Sequence, residues 1–196
     1  IPEPLDLITY KDKAILCLTW IDLRQTNQKT LGQGLAIIHK SSSEENKSNY
    51  GWQREGFIGS NPQIAGWDKN WGKFFVEYRL GPQLKKAREW GLNLKDHEQT
   101  LLYLSSLLND HNPEVSIVHG DLWSGNCATN QSGIGCLYDP ASYWGDREVD
   151  ISMTQLFGGF NDDFYIGYEE IWPLDLSWKE RREIYNLYHI LNHANL

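Results

Sequence analysis

The chain of 196 residues has only three cysteines and a single methionine, and none of its stretches approaches eighteen consecutive apolar residues. Without such a run no membrane-spanning helix is expected, and the visible start has no basic and apolar signal pattern, so neither secretion nor a membrane partner is supported. Cys17, Cys127 and Cys136 form no C-x-x-C pair and leave one over if any two are joined, which points to a reduced, cytoplasmic protein. Basic residues are in deficit as well. The 18 Lys and Arg against 26 Asp and Glu give a net charge of -8, which argues against nucleic acid as a partner and suits a cationic, amine-bearing substrate. There is no H-E-x-x-H and no internal repeat, so His189 and His193, spaced i, i+4 with no third ligand nearby in sequence, read as structural histidines.

What the chain does carry is a site. Phosphoryl transfer needs a carboxylate to take the acceptor's proton and hard oxygen ligands for the metal ions that neutralise phosphate. The run His119-Gly120-Asp121-Leu122-Trp123-Ser124-Gly125-Asn126, followed by Tyr138-Asp139-Pro140, has both. Asp121 and Asn126 have the spacing of the base and the metal-binding amide in kinase catalytic loops. Cys127 to Thr129, a turn at Asn130 to Gly133, and Ile134 to Tyr138 read as a hairpin that returns Asp139 beside Asn126, with Pro140 biasing Asp139 toward extended backbone. Cys127 and Cys136 would face each other across it. His119 is expected to brace the loop rather than to move protons.

Around this centre the pattern is mostly helical. A helix over Leu31–His39 is followed by a polar, solvated loop from Lys40 to Asn49, and Tyr50–Gly66 reads as Gly-rich and irregular. Asn70–Arg88 is expected to be helical but broken near Gly81-Pro82. Asp96–Leu108 would turn Thr100, Leu101, Leu104, Leu107 and Leu108 toward a core. Further helices are expected over Glu148–Phe157, over Asn161–Ile171 with Asn161 as its cap, and over Ser177–Leu191 with a Ser177-x-x-Glu180 capping box and an apolar stripe of Ile184, Leu187, Tyr188 and Leu191. Nine Trp and ten Tyr serve packing and sugar stacking alike. Trp123 in the loop and Tyr143 and Trp144 after it would border the acceptor pocket, with Arg147 and Glu148 hydrogen-bonding hydroxyls or an amine. The other reading packs the tryptophans onto the lobe and pairs Arg147 with a neighbouring acid.

These motifs, with Phe57-Ile58-Gly59-Ser60, Arg79-Leu80-Gly81-Pro82-Gln83-Leu84, Gly145-Asp146-Arg147-Glu148-Val149-Asp150 and Leu187-Tyr188-His189-Ile190-Leu191-Asn192-His193, resemble the fructosamine-3-kinase (ketosamine-3-kinase) family of the aminoglycoside phosphotransferase group. The resemblance implies an α+β, protein-kinase-like fold with a mainly helical large lobe. It also implies ATP-dependent phosphorylation of the 3-hydroxyl of a protein-bound or free ketosamine, with ATP as co-substrate and Mg2+. Asp121 would be the catalytic base, Asn126 and Asp139 the metal ligands, and Asp150 a buried acceptor steadying the loop. Pro140-Ala141 after the metal-binding Asp, where protein kinases have Phe-Gly, favours a small-molecule kinase. The chain departs from the family at Thr19, where Glu is frequent, and at Asp146, where His is.

No glycine-rich phosphate loop precedes Leu16. By the resemblance, residues 1–24 are the end of a small lobe and its hinge, with Ala14–Ile21 as the final strand and backbone at Trp20 and Ile21 facing adenine, while residues 25–196 form the large lobe. Because positioning is most of catalysis in this reaction, the 196-residue segment by itself is expected to be nearly inactive. Alternatives are a phosphotransferase for another amino-sugar, aminoglycoside or choline-like alcohol, and a non-catalytic kinase-like binding lobe.

Overall fold

The computed structural model describes residues 1–24, 27–46 and 48–196. It opens with an antiparallel ribbon of β1 (Pro4–Tyr10) and β2 (Lys13–Leu18), then β3 (Leu23–Arg24). The apolar residues expected as strand core in β2 are largely in water, Leu16 being 56% exposed, because the ribbon has no further layer packed on it among the described residues.

The first helix, α1 (Gln28–Glu45), runs well past His39. The expected solvated loop is therefore helix as far as Glu45, while Lys47 within it lies outside the described residues. The reason is local: Ser42 and Ser43 donate their hydroxyls to the carbonyls of His39 and Lys40, which lets serines sit inside a helix. Ser42 Oγ also accepts the Ile117 N–H, so the segment is docked instead of solvated. Likewise, Tyr50–Gly66 is not irregular. It forms β4 (Tyr50–Trp52), β5 (Gly56–Ile58) and β6 (Asn61–Gln63), and β7 (Gly66–Asp68) follows directly. Strands of three residues are too short to show a period of two, and β4 finds one of its two partners far along the chain.

Next come α2 (Trp71–Phe75), a π-helical turn (Val76–Leu80) and α3 (Gly81–Ala87). The expected break at Gly81-Pro82 is a widening instead. Gly81 N–H reaches back to the Val76 carbonyl, and the Tyr78 carbonyl, which Pro82 cannot serve, accepts from Arg79 Nη1 at 2.9 Å. Helix α4 (His97–His111) buries a narrower face than expected: Leu108 is buried and Leu101 and Leu104 half-buried, whereas Thr100 and Leu107 are exposed.

Strand β8 (Ser116–Val118) leads into the catalytic loop, β9 (Cys127–Asn130) and β10 (Gly135–Leu137) form the expected hairpin, and β11 (Tyr143–Gly145) returns. Strands β7-β4-β11-β8 make one sheet and β10-β9-β3 another. The register sets Cys127 opposite Leu137 and Cys136 opposite Ala128, so the two cysteines project from opposite faces and do not meet. Burial pushes the Cys127 thiol up to about 12, away from redox reactivity.

Helices α5 (Glu148–Leu156), α6 (Asp162–Ile171) and α7 (Trp178–Ala194) close the lobe. Asn161 caps α6 as expected. The capping box at Ser177 does not form, since its hydroxyl donates to Asp175 and accepts from Arg181. Two apolar clusters result, one around Trp71, Phe75, Tyr143 and Tyr185, the other around Leu35, Ile151, Phe164 and Tyr168. Helix α5 joins them, with Val149 in the first and Ile151 in the second.

Helices α1 and α6 touch backbone to backbone. A Cβ on Gly32 would lie 2.0 Å from the Phe164 carbonyl oxygen, and one on Gly167 2.1 Å from that of Lys29. Backbone cannot step aside as a side chain can. Gly32→Ala is therefore expected to lower the urea midpoint by a stability loss of about 1–3 kcal/mol, the usual cost of overpacking.

Candidate active site

The site is hung from one buried carboxylate. Asp150, in the first turn of α5, accepts the backbone N–H groups of His119 at 2.7 Å and Gly120 at 2.9 Å, and lies 3.1 Å from His39 Nε2. Burial opposes its ionisation, but His39 and the loop N–H groups outweigh this and hold the carboxyl below the usual range. His39 is fixed in turn by Tyr168 Oη, 2.8 Å from Nδ1. Sequence reasoning missed His39, although it continues the Leu31, Leu35 step of α1 by one more turn and so had to fall on the buried face. Gly120 has φ +82, and a Cβ there would meet the Ala141 carbonyl oxygen at 2.3 Å, so the loop passes where only glycine fits.

Three sequence-predicted residues come together at the hairpin base. Asn126 Nδ2 donates to the Asp121 carbonyl at 2.9 Å and lies 3.3 Å from Asp121 Oδ2 and 3.4 Å from the Asp139 carbonyl. His119 Nε2 lies 3.0 Å from the Tyr138 carbonyl, and His119 Nδ1 3.3 Å from the Asp121 N–H. Asp139 is not extended as Pro140 suggested. Its φ is +55, a left-handed conformation that Asp tolerates better than most residues and that recurs at functional sites. Burial raises the Asp121 carboxyl above its ordinary value, and the nearby Asp139 charge adds to this. The Ala141 carbonyl accepts from Gln63 Nε2 at 3.0 Å, and Tyr188 Oη lies 3.3 Å from Gln63 Oε1, which ties the Asp139 segment to α7.

The expected acceptor contacts divide. Trp123 is 42% exposed within the loop, and Trp144 is half-buried against the first core cluster. Tyr143 is not a pocket residue: it is fully buried, with the Arg79 guanidinium 4.1 Å over its ring. Arg147 stacks 3.8 Å over Trp172 and donates to the carbonyls of Trp172 and Pro173, and no acid forms an ion pair with it among the described residues. Glu148 is buried and gives both oxygens to Arg181 at 2.7 Å. Trp20 stands 93% exposed beyond β2, with Ile21 half-buried beside it.

Glu148 belongs to a buried charge cluster away from the catalytic loop. His111 Nε2 lies 3.2 Å from Asp146 and 3.3 Å from Glu148, and Tyr185 donates to Asp146 at 2.5 Å. The three acids and bases have the proximity of a metal site, but Arg181 already supplies the cation, and protonated His111 brings the set to neutrality. Burial opposes that proton, yet Asp146 and Glu148 push the imidazolium up to about 9. A folded value above the ordinary 6.5 means that this contribution to stability is complete below 6.5 and lost as pH rises through about 9. The Tm gap between wild type and His111→Gln should therefore narrow from neutral pH to above 9; a constant gap would contradict the assignment.

A family model described as fructosamine kinase matches residues 1–196. A probable ketoamine kinase of Vibrio parahaemolyticus is 42% identical over 200 residues, covering 100% of this chain and 68% of that protein. Another, from Synechocystis, is 41% identical over 199 residues, covering 100% and 66%. A crystal structure from Haemophilus somnus, provisionally named a fructosamine-3-kinase, matches with a TM-score of 0.89 and 32% identity over 100% of this chain and 66% of its own. One of the same provisional name from Thermobifida fusca gives 0.83 and 30% over 100% and 67%. The chain thus spans about two thirds of the length of the proteins it matches, and its kinase-like α+β architecture is theirs.

Proposed function

Since this chain belongs to the fructosamine kinase family, we propose that it is the catalytic lobe of an ATP-dependent kinase that phosphorylates the 3-hydroxyl of a ketosamine, free or protein-bound, and so promotes deglycation. The observation that carries this is the meeting of Asp121, Asn126 and Asp139 through one side-chain amide. In this reading Asp121 accepts the proton of the sugar hydroxyl, its raised pKa making it a better base than an exposed carboxylate. Because Asn126 spends its nitrogen on the loop, its oxygen is the end that would ligate, and with Asp139 it offers the hard oxygen donors that magnesium takes. When bound, the metal neutralises charge on the phosphates. His119 and Asp150 keep the loop in place, and Trp123 is the remaining aromatic from the predicted set that stands ready to stack on the sugar.

The same proposal makes residues 1–24 the end of the small lobe and hinge, with backbone near Trp20 and Ile21 toward adenine, and residues 25–196 the large lobe. The test is magnesium-dependent ATP consumption with ribulosamine and fructosamine, by this chain and by one extended upstream with its native sequence. Turnover in the extended protein, weak in the 196-residue chain, is the expected result. A folded, extended protein that ignores ketosamines but turns over an aminoglycoside or choline-like alcohol would move the acceptor to that class.

A further inference from the structure

Phe157 ends α5, and His193 lies in the last turn of α7. Their rings stand 4.7 Å apart between centroids with planes at 46°. Both are open to solvent, Phe157 being 47% exposed. Gly159, two residues after Phe157, runs close against the catalytic loop: a Cβ there would lie 2.4 Å from Ser124 Cβ and Oγ. On its other side α7 reaches the Asp139 segment through Tyr188 and Gln63. Through Gly159 the pair stands beside the loop that carries Asp121.

The ring of His193 is also preset. Its Nδ1 lies 3.0 Å from the His189 carbonyl, and a carbonyl only accepts, so Nδ1 carries the proton and Nε2 of the neutral ring is left as an acceptor. An acceptor beside the exposed ring of Phe157 matches a cation that can donate a hydrogen bond, since aromatic faces attract ammonium groups. A ketosamine differs from a free ketose in having that group, a secondary ammonium.

Resting on the kinase reading above, we propose that Phe157 and His193 form the wall of the acceptor site that recognises the substrate's ammonium, with His193 Nε2 accepting its hydrogen bond and Phe157 presenting a ring face. Both act as specificity-determining residues, and neither takes part in the proton transfer.

The test compares wild type, His193→Ala, His193→Asn and Phe157→Leu in the upstream-extended protein, with fructosamine and with uncharged fructose as acceptors. Removing a hydrogen bond to a charged group is expected to raise KM for fructosamine about tenfold or more in His193→Ala. His193→Asn, which keeps an acceptor, should recover part of this, and Phe157→Leu should raise KM severalfold. KM for ATP and kcat should stay within about twofold of wild type, and preference for fructosamine over fructose should fall. An unchanged KM for fructosamine in all three variants, or an equal rise for ATP, would overturn the proposal while leaving the kinase reading intact. Absence of ketosamine turnover in wild type would instead overturn the kinase reading and this inference with it.

Discussion

Asp121→Asn is expected to lower phosphoryl transfer by about 10² to 10⁴, the range typical of a lost general base, while Tm stays equal to or rises above that of wild type. The amide is nearly isosteric and keeps an oxygen for the Asn126 nitrogen that now lies 3.3 Å from Asp121 Oδ2. What disappears is the negative charge. Burial raises the Asp121 carboxyl, so its folded pKa stands above the unfolded one, and at neutral pH the ionised form costs stability. That cost is absent below the unfolded value and complete once pH passes the folded one. The amide avoids it. The same sign predicts that kcat/KM of the wild type climbs with pH along an acid limb lying above the ordinary carboxylate value of 3.8. An acid limb at or below the ordinary value, or a variant that retains activity, would remove Asp121 from the role of base.

Asp150→Ala should have the largest effect on folding. Asp150 is fully buried, and its removal strands the N–H groups of His119 and Gly120 and the ring of His39 together. Each buried donor left unsatisfied costs about 1–3 kcal/mol, so the groups stranded together take a large share of the 5–15 kcal/mol or so that holds a domain folded. A shift of that size in the urea midpoint, with activity lost because the loop is no longer held, is expected. Asp150→Asn, which retains one oxygen for the loop, should fall between. The carboxyl is held below its ordinary value, so its contribution is complete above the unfolded pKa and lost as pH falls through the folded one. Wild type should therefore lose its advantage over Asp150→Ala only in strong acid. A midpoint within about 0.5 kcal/mol of wild type, the range of ordinary surface changes, would show that the loop is held by something else.

The hairpin and the three terminal helices were legible because their signals are local. A four-residue turn between apolar runs returns Asp139 to Asn126 whatever surrounds it, α6 carries its Asn161 cap, and α7 carries an apolar stripe within its own length. The surroundings of the site were less legible. Tyr143, Arg147 and Glu148 follow the Asp139 segment closely and have the right chemistry for substrate contacts, yet each is turned to an internal partner. The partner of Glu148 is Arg181, 33 positions away, and that of Arg147 is a carbonyl 25 positions away. Conversely, Phe157 and His193 were passed over because nothing in their own segments shows that α5 and α7 end side by side.

By itself the amino-acid sequence determined the chemistry available and the local backbone that presents it: a carboxylate, an amide and a second carboxylate brought together by a short hairpin. Only the tertiary structure decided which polar side chains serve that chemistry and which serve the fold. Dihedral preferences and turn geometry act between neighbours in sequence, whereas burial depends on elements that meet only after folding. A carboxylate such as Glu148 therefore becomes a site residue or a salt-bridge partner according to what lies across from it.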